Sequence, residues 1–175
     1  MIHDHSAPHL RFLQIHLGGD RNFCYLLGDP DSGDAAAVDP GFEPEKFLEI
    51  AETEGLTITE ILFTHGHPDH TGGAAALQAL TGARMRGGAE DLITGAEALE
   101  DGQVILLGDL EITALATPGH SPGHFCFLCE GRLVTGDILF CGKVGGTGTY
   151  FKGSSARQEY DSLHGLMKLP DETLV

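Results

Sequence analysis

Short apolar runs separated by turn residues set the rhythm of this chain. Leu10 to Leu17, Asn22 to Gly28 and Ala35 to Val38 read as strands, divided by turn signals at Gly18-Gly19-Asp20 and Asp29-Pro30-Asp31-Ser32-Gly33. A helix is predicted from near Glu43, with Pro44 in its first turn and acids at Glu43 and Glu45. Phe47, Leu48, Ile50 and Ala51 supply its apolar side, and Gly55 ends it. Thr57 to Thr64 returns to strand, and its apolar end Ile61-Leu62-Phe63 reads as buried. An Ala-rich helix follows over about Thr71 to Leu80, with Gly82 beyond its end. Later strands are predicted at Val104 to Leu107, Glu111 to Ala116, His124 to Cys129 and Arg132 to Thr135. A last helix spans about Ala156 to Lys168: Ser155 and Gln158 have capping-box spacing, and Tyr160, Leu163 and Met167 mark the apolar stripe.

Strands dominate, with helices interspersed, and periodicity alone gives a mixed α and β domain. Residues 1–9 are expected to be a loose terminal tail and residues 10–175 a single domain, since no linker, repeat or low-complexity stretch divides them. A chain of 175 residues with 41% hydrophobic and 21% charged residues can bury a real core. No apolar run approaches the roughly 20 residues that span a bilayer. The N-terminus lacks the basic-then-apolar order of a secretory signal, so a cytoplasmic location and no membrane partner are expected.

Charge narrows the partners. A formal net charge of −16 argues against nucleic acid, whose phosphates demand a cationic surface. A small-molecule substrate is the expected partner; nothing in the pattern sets an oligomeric state. Cys126 and Cys129 form a C-x-x-C, but inside a predicted strand residues i and i+3 point to opposite faces. Buried structural thiols are therefore expected rather than a metal or redox pair.

The candidate chemistry lies in His65-Gly66-His67-Pro68-Asp69-His70, directly after the buried strand. Imidazole nitrogen and carboxylate oxygen are the ligands that zinc prefers. Gly66 and Pro68 bend the loop so that His65 and His67 can aim at one point, while Asp69 and His70 can aim at a second nearby. Two metals about 3.5–4 Å apart can clamp a carbonyl or phosphoryl group. Thr117-Pro118-Gly119-His120 and Thr135-Gly136-Asp137 each place a further ligand type in a turn after a strand, where loops present functional groups.

Together these segments resemble the metallo-β-lactamase superfamily: H-x-H-x-D-H is similar to its second motif, P-G-H and T-G-D to its third and fourth, and Val38-Asp39-Pro40-Gly41 to its first. The match runs in order from about Leu10 to the C-terminus. The resemblance implies an α+β fold, the αββα four-layer sandwich. It also implies His65, His67 and His120 around a first metal, and Asp69 and His70 on a second with Asp137 bridging. Asp39 would brace the metal loops as structural support. His124, His16 and His164 are not expected to be ligands. The family's last motif supplies one more histidine after a final strand, and this sequence stops at Leu174-Val175, where that strand would begin. Either the sequence is a fragment or the second site is incomplete; Leu169 to Val175 looks like the normal approach to that turn and favours the fragment. Within these residues the second site is expected to be weak or empty.

Branches of the superfamily differ at informative positions. His67, where diiron flavoproteins carry Glu, and Asp137, where many zinc β-lactamases carry Cys, point away from those two, and the acidity points away from the nucleases. The segments Asp20 to Leu27 and Thr135 to Phe140 resemble the hydroxyacylglutathione hydrolases (glyoxalase II). That implies a hydrolase using a zinc-activated hydroxide on a thioester, with one or two zinc ions and Asp69 as the catalytic proton carrier. Persulfide dioxygenases share the background but hold one iron through two His and one Asp, here His65, His120 and Asp137. A non-catalytic metal-bound module is the third reading. Glutathione-binding branches carry a cation where this chain has Gly146, leaving Lys143 and Lys152 as substitute substrate contacts in a flexible Gly-rich loop. That loop lacks the helix and lysine context of a phosphate-binding P-loop.

Overall fold

The computed structural model describes residues 1–18 and 22–175, so the expected Gly18-Gly19-Asp20 turn falls largely outside the described residues. Ile2–Asp4 (β1), Arg11–His16 (β2), Phe23–Gly28 (β3) and Asp34–Val38 (β4) pair antiparallel in sequence order. Thr57–Leu62 (β5), Arg84–Gly87 (β6) and Glu97–Ala98 (β7) then add in parallel, completing a seven-stranded sheet. Parallel neighbours need helical crossovers. Pro44–Thr53 (α1) links β4 to β5; Pro68–Thr71 (α2) and Ala74–Thr81 (α3) link β5 to β6. Val104–Leu107 (β8), Leu110–Ala116 (β9), Phe125–Cys129 (β10) and Arg132–Val134 (β11) form a four-stranded antiparallel sheet. A small hairpin, Leu139–Phe140 (β12) with Lys143–Val144 (β13), and the helix Ala156–Leu166 (α4) follow.

Burial sorts these elements into four layers. One face of the larger sheet, including Ile15, Leu26, Ala37 and Ile61, packs on Phe47 and Ala51 of α1 and Leu77 of α3. Its other face, with Phe12, Leu27, Val38 and Leu62, meets Ile105, Leu107, Ile112 and Phe127 of the second sheet. The outer face of that second sheet, with Cys126 and Leu133, packs against Leu163 and Leu166 of α4. Strands covered on both faces need apolar residues at successive positions, hence the unbroken runs in β4 and at the end of β5. Cys126 and Cys129 fall in different layers, as their spacing on a strand requires, and both are free and buried. No helix among the described residues is long and apolar enough to cross a membrane.

Four expectations change. The first residues do not run loose: β1 pairs with β2 in the register Ile2↔Ile15, and Arg132 Nε donates to the His5 carbonyl at 2.7 Å. All three β1 side chains are exposed, so the pairing rests on backbone and left no apolar signature. The helix expected over Thr71–Leu80 is broken at Gly72-Gly73 into α2 and α3, because both glycines lie against the backbone of Pro40 and Gly41. On α4, Tyr160 and Met167 are exposed, and the inward stripe is Glu159, Leu163 and Leu166. The strand β6 was unforeseen: Arg84 and Arg86 look like loop residues until both close on the buried Glu60 of β5, at 2.6 and 2.8 Å.

Candidate metal centre

Three loops at one end of the two sheets gather the expected residues. The loop after β5 carries His65 and His67, and α2, capped by His67 with Pro68 in its first turn, carries Asp69 and His70. The β9–β10 turn carries His120, and the turn after β11 carries Asp137. His65, His67 and His120 each present a ring nitrogen, all within 4.8 Å of one another. The His67 Nδ1 and His120 Nε2 atoms face each other at 3.1 Å.

Hydrogen bonds decide which nitrogens are bare. Asp39 Oδ1 accepts from Thr64 N at 2.7 Å and Oδ2 from Thr64 Oγ1 at 2.5 Å. Having given its proton to that carboxylate, the Thr64 hydroxyl can only accept from His65 Nδ1, 3.0 Å away. His65 Nε2 is thereby left as a bare acceptor, and it is fully buried with no partner. Burial, followed by the neighbouring imidazoles of His70, His124, His67 and His120, drives the His65 pKa well below its usual value. His120 Nδ1 donates to the Gly146 carbonyl at 2.9 Å, which likewise leaves Nε2 free in the neutral ring. A neutral imidazole fixed through one nitrogen and bare at the other is what a borderline divalent metal requires, and His65 is held in that form beside ring nitrogens of His67 and His120. The donor set fits such an ion.

Beside this trio lies a carboxylate group. Asp137 Oδ1 is 3.4 Å from His70 Nε2 and its Oδ2 is 3.7 Å from His120 Nε2, so it stands between the two expected sites. His70 Nδ1 donates to Asp39 Oδ2 at 2.9 Å, aiming Nε2 at Asp137 and at Asp69 Oδ2, the latter 3.8 Å away. Burial pulls the His70 pKa down, but the Asp39 and Asp137 carboxylates outweigh it and raise it to about 10. Asp39 itself is buried, its carboxylate accepts from Thr64 and His70, and one of its oxygens lies within 4.8 Å of ring nitrogens of His65 and His70.

Other expected residues fall nearby or elsewhere. His124 is fully buried and stacks on His65 with ring centroids 5.4 Å apart, and its Nδ1 meets Thr117 Oγ1. Burial, then His120, depresses its pKa to about 3, and its Nε2, like that of His65, is buried without a partner. His16 sits in β2 beside Phe23, and His164 bonds the Tyr160 carbonyl on α4. Lys152 lines a hollow of about 310 Å³ with Gly66, His67 and Tyr150, whereas Lys143 lies on the β12–β13 hairpin over the Phe140 ring. At Gly146 a side chain has no room: an added Cβ would lie 2.5 Å from the Phe151 ring, which packs 4.9 Å from His120. Among the neighbours of the centre that were not foreseen, two touch the expected ligands directly. One is Phe151; the other is Asn22, whose Nδ2 donates to Asp69 Oδ2 at 2.6 Å. Asn22 and Asp69 are 47 positions apart in sequence, which leaves no local signal of that contact.

Comparison with known proteins accords with this geometry. A family model described as the metallo-beta-lactamase superfamily matches residues 17–175. The hydroxyacylglutathione hydrolase of Maricaulis maris is 40% identical over 159 residues, covering 88% of this chain and 60% of that protein. Among solved structures, ETHE1 from Myxococcus xanthus has a TM-score of 0.86 at 33% identity, covering 93% of this chain and 72% of that one. TTHA1623, solved in a di-iron-bound form, has a TM-score of 0.78 at 30% identity, covering 90% of this chain and 86% of that one. This chain spans 60–64% of the length of the first curated relatives it matches. With the family's four motifs brought to one end of its two sheets, the chain belongs to the metallo-beta-lactamase superfamily.

Proposed function

We propose that this chain carries the metal centre of a hydrolase acting on thioesters of the hydroxyacylglutathione type. The observation that carries this reading is the buried, unpartnered His65 Nε2, sharing its space with ring nitrogens of His67 and His120. In the proposed assignment these three histidines hold a first metal, zinc by the chemistry of the donor set. Asp69 and His70 belong to a second site, with Asp137 between the two. A bound divalent metal supplies Lewis acidity, making a water acidic enough to attack near neutral pH and stabilising charge on the carbonyl oxygen.

The chain's own residues do the rest. Asp39 and Thr64 fix the His65 tautomer, Asp39 turns His70 toward Asp137, and Gly146 fixes His120. In this reading Asp69, half exposed and bonded by Asn22, orients the attacking water, takes a proton from it and passes that proton to the departing thiolate. Phe151 covers His120 and His67 with an apolar ring, excluding water from one side. Lys152, beside His67, is the cation proposed to meet a substrate carboxylate.

An iron centre of His65, His120 and Asp137, with persulfide as substrate, is the competing reading, and the di-iron-bound TTHA1623 makes iron a metal to test. Against it, His67 aims into the same space as His120 and makes a third imidazole available. Metal analysis of the purified protein should find zinc, with hydrolysis across a panel of hydroxyacyl thioesters. The variants His65→Ala and Asp137→Ala should lose that turnover. One iron, with oxygen uptake on glutathione persulfide and no thioester hydrolysis, would overturn the proposal.

A further inference from the structure

The two histidine-bearing loops come from different sheets, and one carboxylate bonds them both. Asp91 ends a single 3-10 turn, Ala89–Asp91, between β6 and β7. Its Oδ2 accepts from Gly66 N at 2.8 Å, the residue between His65 and His67. The same oxygen accepts from Ser121 Oγ at 2.7 Å, next to His120. Its Oδ1 accepts from Gly123 N at 2.8 Å, in the same turn as His120 and next to His124.

Close packing backs up the polar contacts. A Cβ added at Gly66 would lie 2.9 Å from both Asp91 Cβ and Asp91 O. One added at Gly123 would lie 2.7 Å from Asp91 N, and one at Gly88 only 2.0 Å from the Gly123 carbonyl. The loops therefore close onto the 3-10 turn at positions where no side chain fits. β5 and β10 belong to different layers, and the roots of the two loops meet in one main-chain bond, from Phe125 N to the Thr64 carbonyl at 2.7 Å. Asp91 holds them further out, at the histidines themselves.

We propose that Asp91 is the positioning residue of the three-histidine site: it sets the separation of the His65–His67 loop from the His120 loop. Its carboxylate bonds Gly66, Ser121 and Gly123, and so acts on the ligands through the loops on which they are mounted. Second-sphere carboxylates that hold ligands in place usually govern metal affinity by about 10–100-fold. The inference rests on the metal-centre reading, and its test separates the two.

The informative variant is Asp91→Asn, which keeps the shape but replaces one oxygen with an N–H donor. Gly66 and Gly123 bond different oxygens, so whichever way the amide turns, one loop loses its acceptor. Zinc affinity is measured by competition with a chromophoric chelator, and site geometry from the visible spectrum of the cobalt-substituted protein. Asp91→Asn should bind zinc about 10–100-fold more weakly than the wild type and show an altered cobalt spectrum. A purely structural role would lower the unfolding midpoint of the ion-free protein and leave affinity and spectrum unmoved, and that result overturns the inference. If Asp91→Asn fails to fold, Ser121→Ala decides, since it removes only the hydroxyl bond; weaker zinc binding supports the inference, unchanged binding and spectrum overturn it. A wild-type chain that binds no metal would defeat the metal-centre reading instead.

Discussion

At the scale of single residues, Asp39 concentrates the constraints. Its backbone lies in the left-handed region, φ 52°, which costs a non-glycine residue about 1–3 kcal/mol unless its surroundings hold it there. Three donors do so: Thr64 N, Thr64 Oγ1 and His70 Nδ1. Asp39→Ala leaves a buried amide, hydroxyl and imidazole without their acceptor. The expected loss is about 3–5 kcal/mol, the scale for removing one partner of a buried charged pair. Asp39→Asn, which retains one acceptor oxygen, should lose less. Urea unfolding of the ion-free protein measures both; a variant within 1 kcal/mol of the wild type, on the scale of a solvent-exposed pair, would contradict this role. The cysteines carry no comparable duty. Burial raises the thiols of Cys24, Cys126 and Cys129 to about 12, so they stay protonated inside the core.

At the scale of elements, the placement of α2 depends on one close approach. A Cβ on Gly41 would lie 1.8 Å from the Asp69 carbonyl, which is backbone and cannot swing aside. Gly41→Ala must therefore push α2 away from the β4 loop, carrying Asp69 and His70 with it. The cost should be about 1–3 kcal/mol, typical of overpacking. The selective effect should fall on the second site, expected to be weak in these residues from the start: calorimetric titration should show its remaining binding weakened more than that at His65, His67 and His120. Equal loss at both would show that the approach serves general packing. Elements of this kind were legible where burial repeats along the chain. β8 matches its expected Val104–Leu107 bounds, and β5, α1 and the Ser155 cap of α4 lie within a few residues of expectation. β1 and β6 were not legible, because one is held by backbone pairing and an exposed His3–Phe23 ring contact and the other by arginines closing on Glu60. Local periodicity carries no trace of either kind of contact. The ligand types were legible for the opposite reason: His65 to His70 are consecutive in sequence, so their chemistry is local. Asn22, Asp91 and Phe151 reach the centre only through tertiary structure.

At the scale of the whole molecule, the proposed first site joins the two sheets. His65 and His67 follow β5 of the larger sheet, while His120 lies between β9 and β10 of the smaller. An ion held by all three favours the arrangement in which the sheets are docked at that end. The apolar layer between the sheets, from Phe12 and Leu62 to Ile112 and Phe127, is independent of the ion and keeps them together without it. Removing metal should therefore loosen the loops but leave a cooperative fold. At free zinc about a hundredfold above its dissociation constant, linkage contributes about 2.7 kcal/mol. For a chain of this size, each kcal/mol moves the unfolding midpoint by about 2–4 °C, giving a fall of about 5–10 °C on chelation. Calorimetry should record that shift as one sharp transition, restored by adding zinc. Loss of cooperativity on chelation would mean that the ion, rather than the layer between the sheets, holds the two halves together.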